Sequence, residues 1–249
     1  MPGLDLGAGP LAFVVAGAVL SGLVRGFAGF GTGLIYVPLA SLALPPLWVL
    51  VTLTVMDLIG PLPAVPRALR EGQPRHVAAL LCAAAVTLLP GLLLLDRMDP
   101  AGFRWLVGGL CLLTVALMAS GWRWSGRMTP AVTLAAGGAA GFLGGLAGLA
   151  GPPVVLTFMS SPLPPRVIRA NLMVFLVAWD VLFGGVLWNT GRLLVEPVAL
   201  GALLIAPYLA AVWIGGAIFR RSDGDERLYR RVAYALIAGS AVLALPVWG

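Results

Sequence analysis

Long apolar runs follow one another along the chain and are separated by short segments rich in Arg, Pro and Gly. Six of these runs have close to the about 20 residues that an α-helix needs to cross a bilayer. They are Leu47–Val65, Val77–Leu95, Trp105–Trp122, Ala170–Thr190, Val198–Phe219 and Val232–Trp248. This pattern predicts an all-α integral membrane protein.

Two further apolar runs are too long for one span. Pro10–Leu44 contains a single charged residue, Arg25, and Thr129–Pro165 contains none. A straight helix of the first length would measure about 52 Å, whereas the hydrocarbon core measures about 30 Å. Glycine-rich stretches at 26–33 and 144–153 interrupt both runs, and glycine and paired proline weaken or end helices. We therefore predict two broken helices, with second arms that begin near 31–33 and 151–153.

The two long runs resemble each other. An offset of 119 residues places Leu44-Pro45-Pro46 on Leu163-Pro164-Pro165 and also aligns several glycines of the two interrupted stretches. The alignment predicts an internal duplication, with repeats at residues 1–122 and 123–249 that together form one membrane domain.

The distribution of arginines favours one membrane topology, because Arg and Lys accumulate in cytoplasmic loops. If both long runs cross the membrane, nine arginines lie on one side and six on the other. If both are re-entrant hairpins, twelve lie on one side and three on the other, with Arg25 inside the membrane. We therefore expect each repeat to be a glycine-broken re-entrant helical hairpin followed by three transmembrane helices. Three spans per repeat make the two repeats inverted, with both termini outside.

The composition supports a membrane protein and excludes several alternatives. Apolar residues make up 60% of the chain and charged residues 10%, with a mean hydropathy of +0.99, whereas soluble domains have about 45–50% and 25%. The net charge of +6 comes from arginines in loops, so it does not indicate a nucleic-acid partner. One histidine, His76, and two separate cysteines exclude a multi-histidine metal site and a disulfide framework. We expect no metal and no cofactor.

Inverted repeats with broken helices are a design of secondary transporters. The N-terminus of a half-helix presents unpaired N–H groups and a partial positive charge, which favour oxyanions such as carboxylate, sulfonate, sulfite or phosphate. Two such ends that meet inside the membrane would form an anion site.

The glycine-rich stretch, the apolar arm with a proline and the Leu-Pro-Pro that follows are repeated in each half. They stand at 26–39 with Leu44-Pro45-Pro46, and at 141–153 with Leu163-Pro164-Pro165. In this pattern the chain resembles the TauE/SafE (TSUP) family of sulfite and organosulfur anion exporters over nearly its whole length. The resemblance implies passage of anions such as sulfite or sulfoacetate, often with protons, and a multi-pass protein of the bacterial cytoplasmic (inner) membrane. Family members often have three successive glycines where this chain has Gly31-Thr32-Gly33 and Ala150-Gly151-Pro152.

Arg25 is the candidate charged ligand or gate, because an ionisable residue at that depth is costly and marks a site. The alternative is that it snorkels to a headgroup or pairs with Asp57 or Asp180. Thr32 could bind an oxyanion through its hydroxyl or cap the second arm. The predicted substrate-binding residues are Arg25, Gly29, Gly31, Thr32, Gly33, Thr52, Gly148, Gly151, Arg169 and Asn171.

Asp57 and Asp180 are the candidate proton carriers, because burial disfavours the charged form of a carboxyl group. The alternative is a structural partnership with Arg25 or with freed backbone. Thr52 and Asn171 are equivalent under the offset of 119. They could donate to substrate oxygens or form interhelical hydrogen bonds. Arg169 could recruit an anion at the start of its helix.

The sequence thus predicts a secondary transporter of small anions, most readily sulfite or an organosulfonate such as sulfoacetate, and no enzyme. A passive anion channel and a permease for a non-sulfur small carboxylate are the alternatives, and a membrane enzyme or an assembly subunit would be further possibilities. The expected partners are a small anionic substrate and membrane lipid, and the oligomeric state stays open.

Overall fold

A computed structural model describes residues 7–62, 65–120, 129–159, 161, 163–221 and 226–247. These residues form helices and connecting segments, without strands. The helices are α1 (Ala8–Ala28), α2 (Thr32–Ala40), α3 (Pro46–Ile59), α4 (Val65–Glu71), α5 (Pro74–Leu95), α6 (Pro100–Ala119), α7 (Pro130–Ala147), α8 (Gly151–Met159), α9 (Pro165–Asn189), α10 (Val195–Arg221) and α11 (Glu226–Ala244).

Six of the described helices are long and apolar enough to cross a membrane, namely α1, α5, α6, α7, α9 and α10. The prediction of an all-helical, multi-pass membrane protein is thereby confirmed. The set differs from the expected one in two ways. Helices α1 and α7 are each long enough to span the membrane without their second arms, whereas α3 and the apolar part of α11, Arg231–Ala244, are shorter than a span.

The predicted single span Leu47–Val65 is wrong. Helix α3 ends at Ile59, and a separate short helix, α4, begins at Val65. Gly60 and Pro61 follow α3, and proline lacks the N–H that would continue the helical ladder. The last predicted run, Val232–Trp248, forms a helix only as far as Ala244, two residues before Pro246.

The two helix breaks lie where the glycines predict them. Helix α1 ends at Ala28 and α2 begins at Thr32, while α7 ends at Ala147 and α8 begins at Gly151. Gly29 and Gly148 adopt the left-handed conformation, with φ of +80° and +68°, which glycine reaches without the penalty of a Cβ atom. Each break therefore joins a long first arm to a second arm of nine residues.

Glycines allow two pairs of helices to pack closely. Helix α1 packs on α10 and α5 on α7. A Cβ atom at Gly22 would lie 2.7 Å from the carbonyl oxygen of Tyr208, and one at Gly137 would lie 2.9 Å from the Cβ of Ala83. Under the offset of 119 residues, α7 corresponds to α1 and α10 to α5, so the predicted duplication would make these two pairs of helices equivalent. Its boundary at 122–123 lies outside the described residues.

Candidate functional site

The two helix breaks touch each other. A Cβ atom at Gly33 would lie 2.8 Å from the carbonyl oxygen of Gly148 and 3.5 Å from a side-chain carbon of Leu149. The start of α2 thus packs directly on the end of α7, as expected for two broken helices that form one site. Gly31, with φ of +101°, is a second position in the first break where only glycine is unstrained.

A cavity of about 50 Å³ lies at this junction. One water takes about 10–15 Å³ of such a volume, so the cavity has room for a few waters or one small anion. Both breaks, with the helix arms that they join, and three further helices, α3, α6 and α9, contribute to its wall. Its polar side chains are Arg25, Thr32, Thr54, Asp57, Thr114 and Asp180, and its glycines are Gly31, Gly33, Gly144, Gly148 and Gly151.

Arg25 lies at the end of α1 and is buried in an ion pair with Asp57 of α3. Its Nη1 atom lies 2.6 Å from Oδ2 of Asp57 and 3.1 Å from Oγ1 of Thr32. Both charged side chains are only 8% exposed. Pairing with Asp57 was one of the alternatives for Arg25, and the structure shows it.

Tyr208 of α10 completes this cluster, and sequence reasoning missed it. Its hydroxyl donates to Oδ1 of Asp57 and lies 3.2 Å from Oγ1 of Thr32. Thr32 in turn donates to the same carboxylate over 3.3 Å. A polar aromatic residue beside Pro207, deep in an apolar run, was the available indication.

Asp180 of α9 faces the same cavity without a partner for Oδ2 among the described residues. It is 6% exposed. A buried oxygen without a hydrogen bond is costly, so it marks either a bound group or a protonated acid.

Trp179 and Phe183 of α9 form an aromatic wall of the cavity. Their ring centroids lie 5.6 Å apart and the rings are stacked at 13°. A Cβ atom at Gly144 would lie 2.7 Å from Cη2 of Trp179. The indole therefore occupies the space that glycine leaves in the last turn of α7.

Thr52 and Asn171 lie away from the cavity. Thr52 accepts a hydrogen bond from the hydroxyl of Tyr36 over 2.8 Å and donates to the carbonyl of Trp48, one turn earlier. Asn171 accepts from the backbone N–H of Gln73 over 2.6 Å. Both side chains therefore bond to protein groups, in line with the interhelical alternative.

Gly29 and Arg169 lie next to each other at the first break, away from the cavity. A Cβ atom at Gly29 would lie 3.6 Å from Nε of Arg169, and Arg169 donates to the carbonyl of Phe27 over 3.4 Å. Arg169 is exposed. The remaining predicted residues, Gly31, Thr32, Gly33, Gly148 and Gly151, line the cavity with Arg25 and both aspartates.

Comparison with protein families decides the identity of the chain. The model of the family "Sulfite exporter TauE/SafE" matches residues 14–244, nearly the whole sequence. The chain belongs to the TauE/SafE family. No curated protein and no solved structure matches it.

Membership of the TauE/SafE family makes the chain a membrane transporter with a small anionic substrate. The resemblance read from the glycine and proline motifs is thereby confirmed, and so is the prediction that the chain is not an enzyme.

Proposed function

We propose that this TauE/SafE protein is a proton-coupled secondary transporter of sulfite or an organosulfonate, which binds in the cavity between the two helix breaks. One observation supports the proposal above all. The junction of the breaks brings a buried arginine, the first turn of α2 and Asp180 around one cavity, and Oδ2 of Asp180 has no hydrogen-bond partner among the described residues.

The wall near α2 suits an oxyanion. The first N–H groups of a helix have no intrahelical acceptor and carry a partial positive charge, and Thr32 and Gly33 stand in that first turn. The two hydrogen bonds of Arg25 described above both leave from Nη1, and a guanidinium has five N–H donors. Arg25 can therefore keep Asp57 and still donate to a substrate.

The two aspartates have different surroundings and therefore different proposed roles. Asp57 accepts from Arg25, Thr32 and Tyr208, so its negative charge is well stabilised. Asp180 has an oxygen without a donor, so a proton on this group removes a costly buried charge. We assign the transported proton to Asp180 and the counter-ion role to Asp57.

The proposal also includes the route and the topology. Arg169, exposed beside Gly29, attracts anions toward the first break. The two repeats are inverted in the bacterial inner membrane, with re-entrant breaks. Thr52 and Asn171 have structural roles in this scheme, because their side chains bond to other helices and loops.

Flux measurements in proteoliposomes test the function. We expect saturable uptake of labelled sulfite or of an organosulfonate that increases when a proton gradient is imposed in the direction of uptake. Arg25→Gln combined with Asp57→Asn removes the ion pair without leaving one charge buried, and we expect it to abolish uptake. Arg70→Gln, at an exposed position of α4, is the matched control.

Three results would contradict the proposal. Flux that neither saturates nor responds to the proton gradient would identify a passive channel. Uptake of small carboxylates in place of sulfur anions would identify another permease. Unchanged uptake by the doubly substituted protein would remove the cavity from the pathway.

A further inference from the structure

We infer that Trp179 and Phe183 form an apolar subsite, and that the cavity therefore selects organic monoanions with a compact apolar group over dianions. This inference rests on the proposed function and narrows its substrate class. It assigns the charged head of the substrate to the side of α2 and the uncharged part to the side of α8 and α9.

The two halves of the cavity differ in polarity at equivalent positions. Under the offset of 119 residues, Arg25 corresponds to Gly144, Thr32 to Gly151 and Asp57 to Leu176. All six line the cavity. The ion pair and the hydroxyl of one repeat are thus replaced by glycine and leucine in the other, so only one side of the cavity can hold a charged head.

The start of α8 offers fewer backbone N–H donors than the start of α2. The first residue of α8 is Gly151, and Pro152 and Pro153 follow. Proline has no N–H, so two of the donors that a helix N-terminus normally offers to an anion are missing. The first turn of α2 has no proline and keeps its donors. An oxyanion is therefore better bound at α2 than at α8.

The aromatic wall formed by Trp179 and Phe183 favours an apolar group of the substrate. Trp179 is 5% exposed and Phe183 is 2% exposed, and their rings stack beside the start of α8. An apolar group that leaves water for this wall gains free energy in proportion to its buried area. A second charged group placed there would lose its hydration without a partner.

The charge of the cavity favours a monoanion over a dianion. Among the described residues that line it, the charged groups are Arg25, Asp57 and Asp180. With the transported proton on Asp180, Arg25 and Asp57 cancel. The cost of placing a charge in a medium of low dielectric constant grows with the square of that charge, so a dianion is penalised far more than a monoanion.

The test uses the intact protein in proteoliposomes and a series of competitors. Uptake of labelled ethanesulfonate is inhibited with methanesulfonate, ethanesulfonate, propanesulfonate, sulfite and the dianion sulfoacetate. Each methylene that fits the apolar subsite should lower the inhibition constant about fourfold, the equivalent of about 0.8 kcal/mol. Sulfoacetate should inhibit more weakly than ethanesulfonate.

Variants identify the residues responsible. Trp179→Ala should remove the chain-length dependence, so that methanesulfonate, ethanesulfonate and propanesulfonate inhibit with equal inhibition constants. Trp213→Ala is the matched control, because Trp213 is 82% exposed. Trp179→Phe keeps an aromatic wall and should keep the preference for longer alkanesulfonates. This variant tests the inference even if the alanine variant does not fold.

The outcomes distinguish a failure of this inference from a failure of the proposed function. Proton-dependent uptake of sulfite without any preference for alkanesulfonates, or a preference for sulfoacetate, would overturn the inference and leave the proposed function standing. The absence of flux for every sulfur anion would overturn the proposed function, and the inference with it.

Discussion

At the scale of single residues, the pairing of Arg25 with Asp57 determines what each substitution does. Both side chains are 8% exposed, so removing one partner leaves an uncompensated charge away from water. Such a loss typically costs about 3–5 kcal/mol, whereas replacing both partners is much less costly. The intact pair is therefore expected to contribute little to stability, whereas the loss of one partner is costly.

We predict that Asp57→Asn lowers the free energy of unfolding by about 3–5 kcal/mol, and that adding Arg25→Gln restores most of the loss. Denaturant titration in detergent micelles measures both. Glu71→Gln breaks the exposed pair with Arg67 and should change the stability very little, because solvent screens an exposed ion pair. An Asp57→Asn variant as stable as Glu71→Gln would show that the Arg25 charge is not buried in solution.

Tyr208 and Tyr36 form a matched pair for a second prediction. Tyr208→Phe removes the donor to Asp57, and Tyr36→Phe removes the 2.8 Å bond to Thr52. Both tyrosines are 0% exposed, so each change should cost about 1–3 kcal/mol. Only Tyr208→Phe should also reduce sulfite uptake at equal amounts of folded protein. Equal uptake by both variants would contradict the placement of Tyr208 in the site.

Asp180→Asn tests the proton. The substitution keeps the shape of the side chain and removes the group that can ionise, so we predict that uptake persists but no longer responds to the proton gradient. Stability should change little or increase, because no described partner of Oδ2 is lost. Uptake that still follows the gradient would transfer the proton to another group.

Residue chemistry predicted part of the site. Their depth in apolar runs identified Arg25, Asp57 and Asp180, because an ionisable group at such a position is costly and therefore marks a site. The same criterion chose Thr52 and Asn171, whose Oγ1 and Oδ1 atoms bond to a nearby carbonyl and to the backbone of a loop. Tyr208 was missed because its partners lie on α2 and α3, 176 and 151 residues away in the chain.

At the scale of helices, the contact between the two breaks limits what their glycines can become. We predict that Gly33→Ala destabilises the protein and abolishes uptake, because its Cβ would lie 2.8 Å from the backbone carbonyl of Gly148. Gly109→Ala in α6 is the control, since no atom lies within 4 Å of its Cβ position. Alanine is favoured over glycine in a helix by about 0.5–1 kcal/mol.

Thermal unfolding and flux measured on the same preparations check this prediction. A Gly33→Ala protein with the stability and uptake of Gly109→Ala would show that the two breaks are not in contact.

The helix bounds show which local patterns are informative. Glycine and proline act on the backbone of their own turn, and for that reason the starts of α2 and α8 followed from the sequence. Hydropathy alone gave a single span at Leu47–Val65, because Pro61 and Pro63 stand among apolar residues. The lengths of the arms were not predictable, since a broken run has no polar boundary.

At the scale of the whole molecule, arginine placement makes the topology testable. With both breaks re-entrant, position 166 lies on the same side of the membrane as position 70 and opposite position 97. With both breaks spanning, position 166 joins position 97. We predict that Arg166→Cys and Arg70→Cys react from the same side with an impermeant thiol reagent.

The cysteine variants are made in a Cys82→Ala, Cys111→Ala background, which removes the two free thiols. Arg97→Cys is the control for the opposite side. Labelling of positions 166 and 97 from one side, with position 70 protected, would replace the inverted arrangement by eight crossings.

The predicted duplication rests on aligned glycines and prolines, because these residues determine a backbone path even where other side chains differ. The packing of α1 on α10 and of α5 on α7 was not visible, because it depends on which helices become neighbours after folding.

The divergence of Arg25, Thr32 and Asp57 from Gly144, Gly151 and Leu176 also bears on kinetics. A carrier whose two halves were chemically identical would present the same affinity to solutes on either face of the membrane. Unlike halves remove that constraint, so half-saturation concentrations can differ between the faces. At equilibrium no net flow is allowed, so any such difference must be balanced by unequal maximal rates. In the proposed inverted arrangement, the protein can thus work near saturation on one face of the membrane while its rate on the other face stays proportional to the solute concentration.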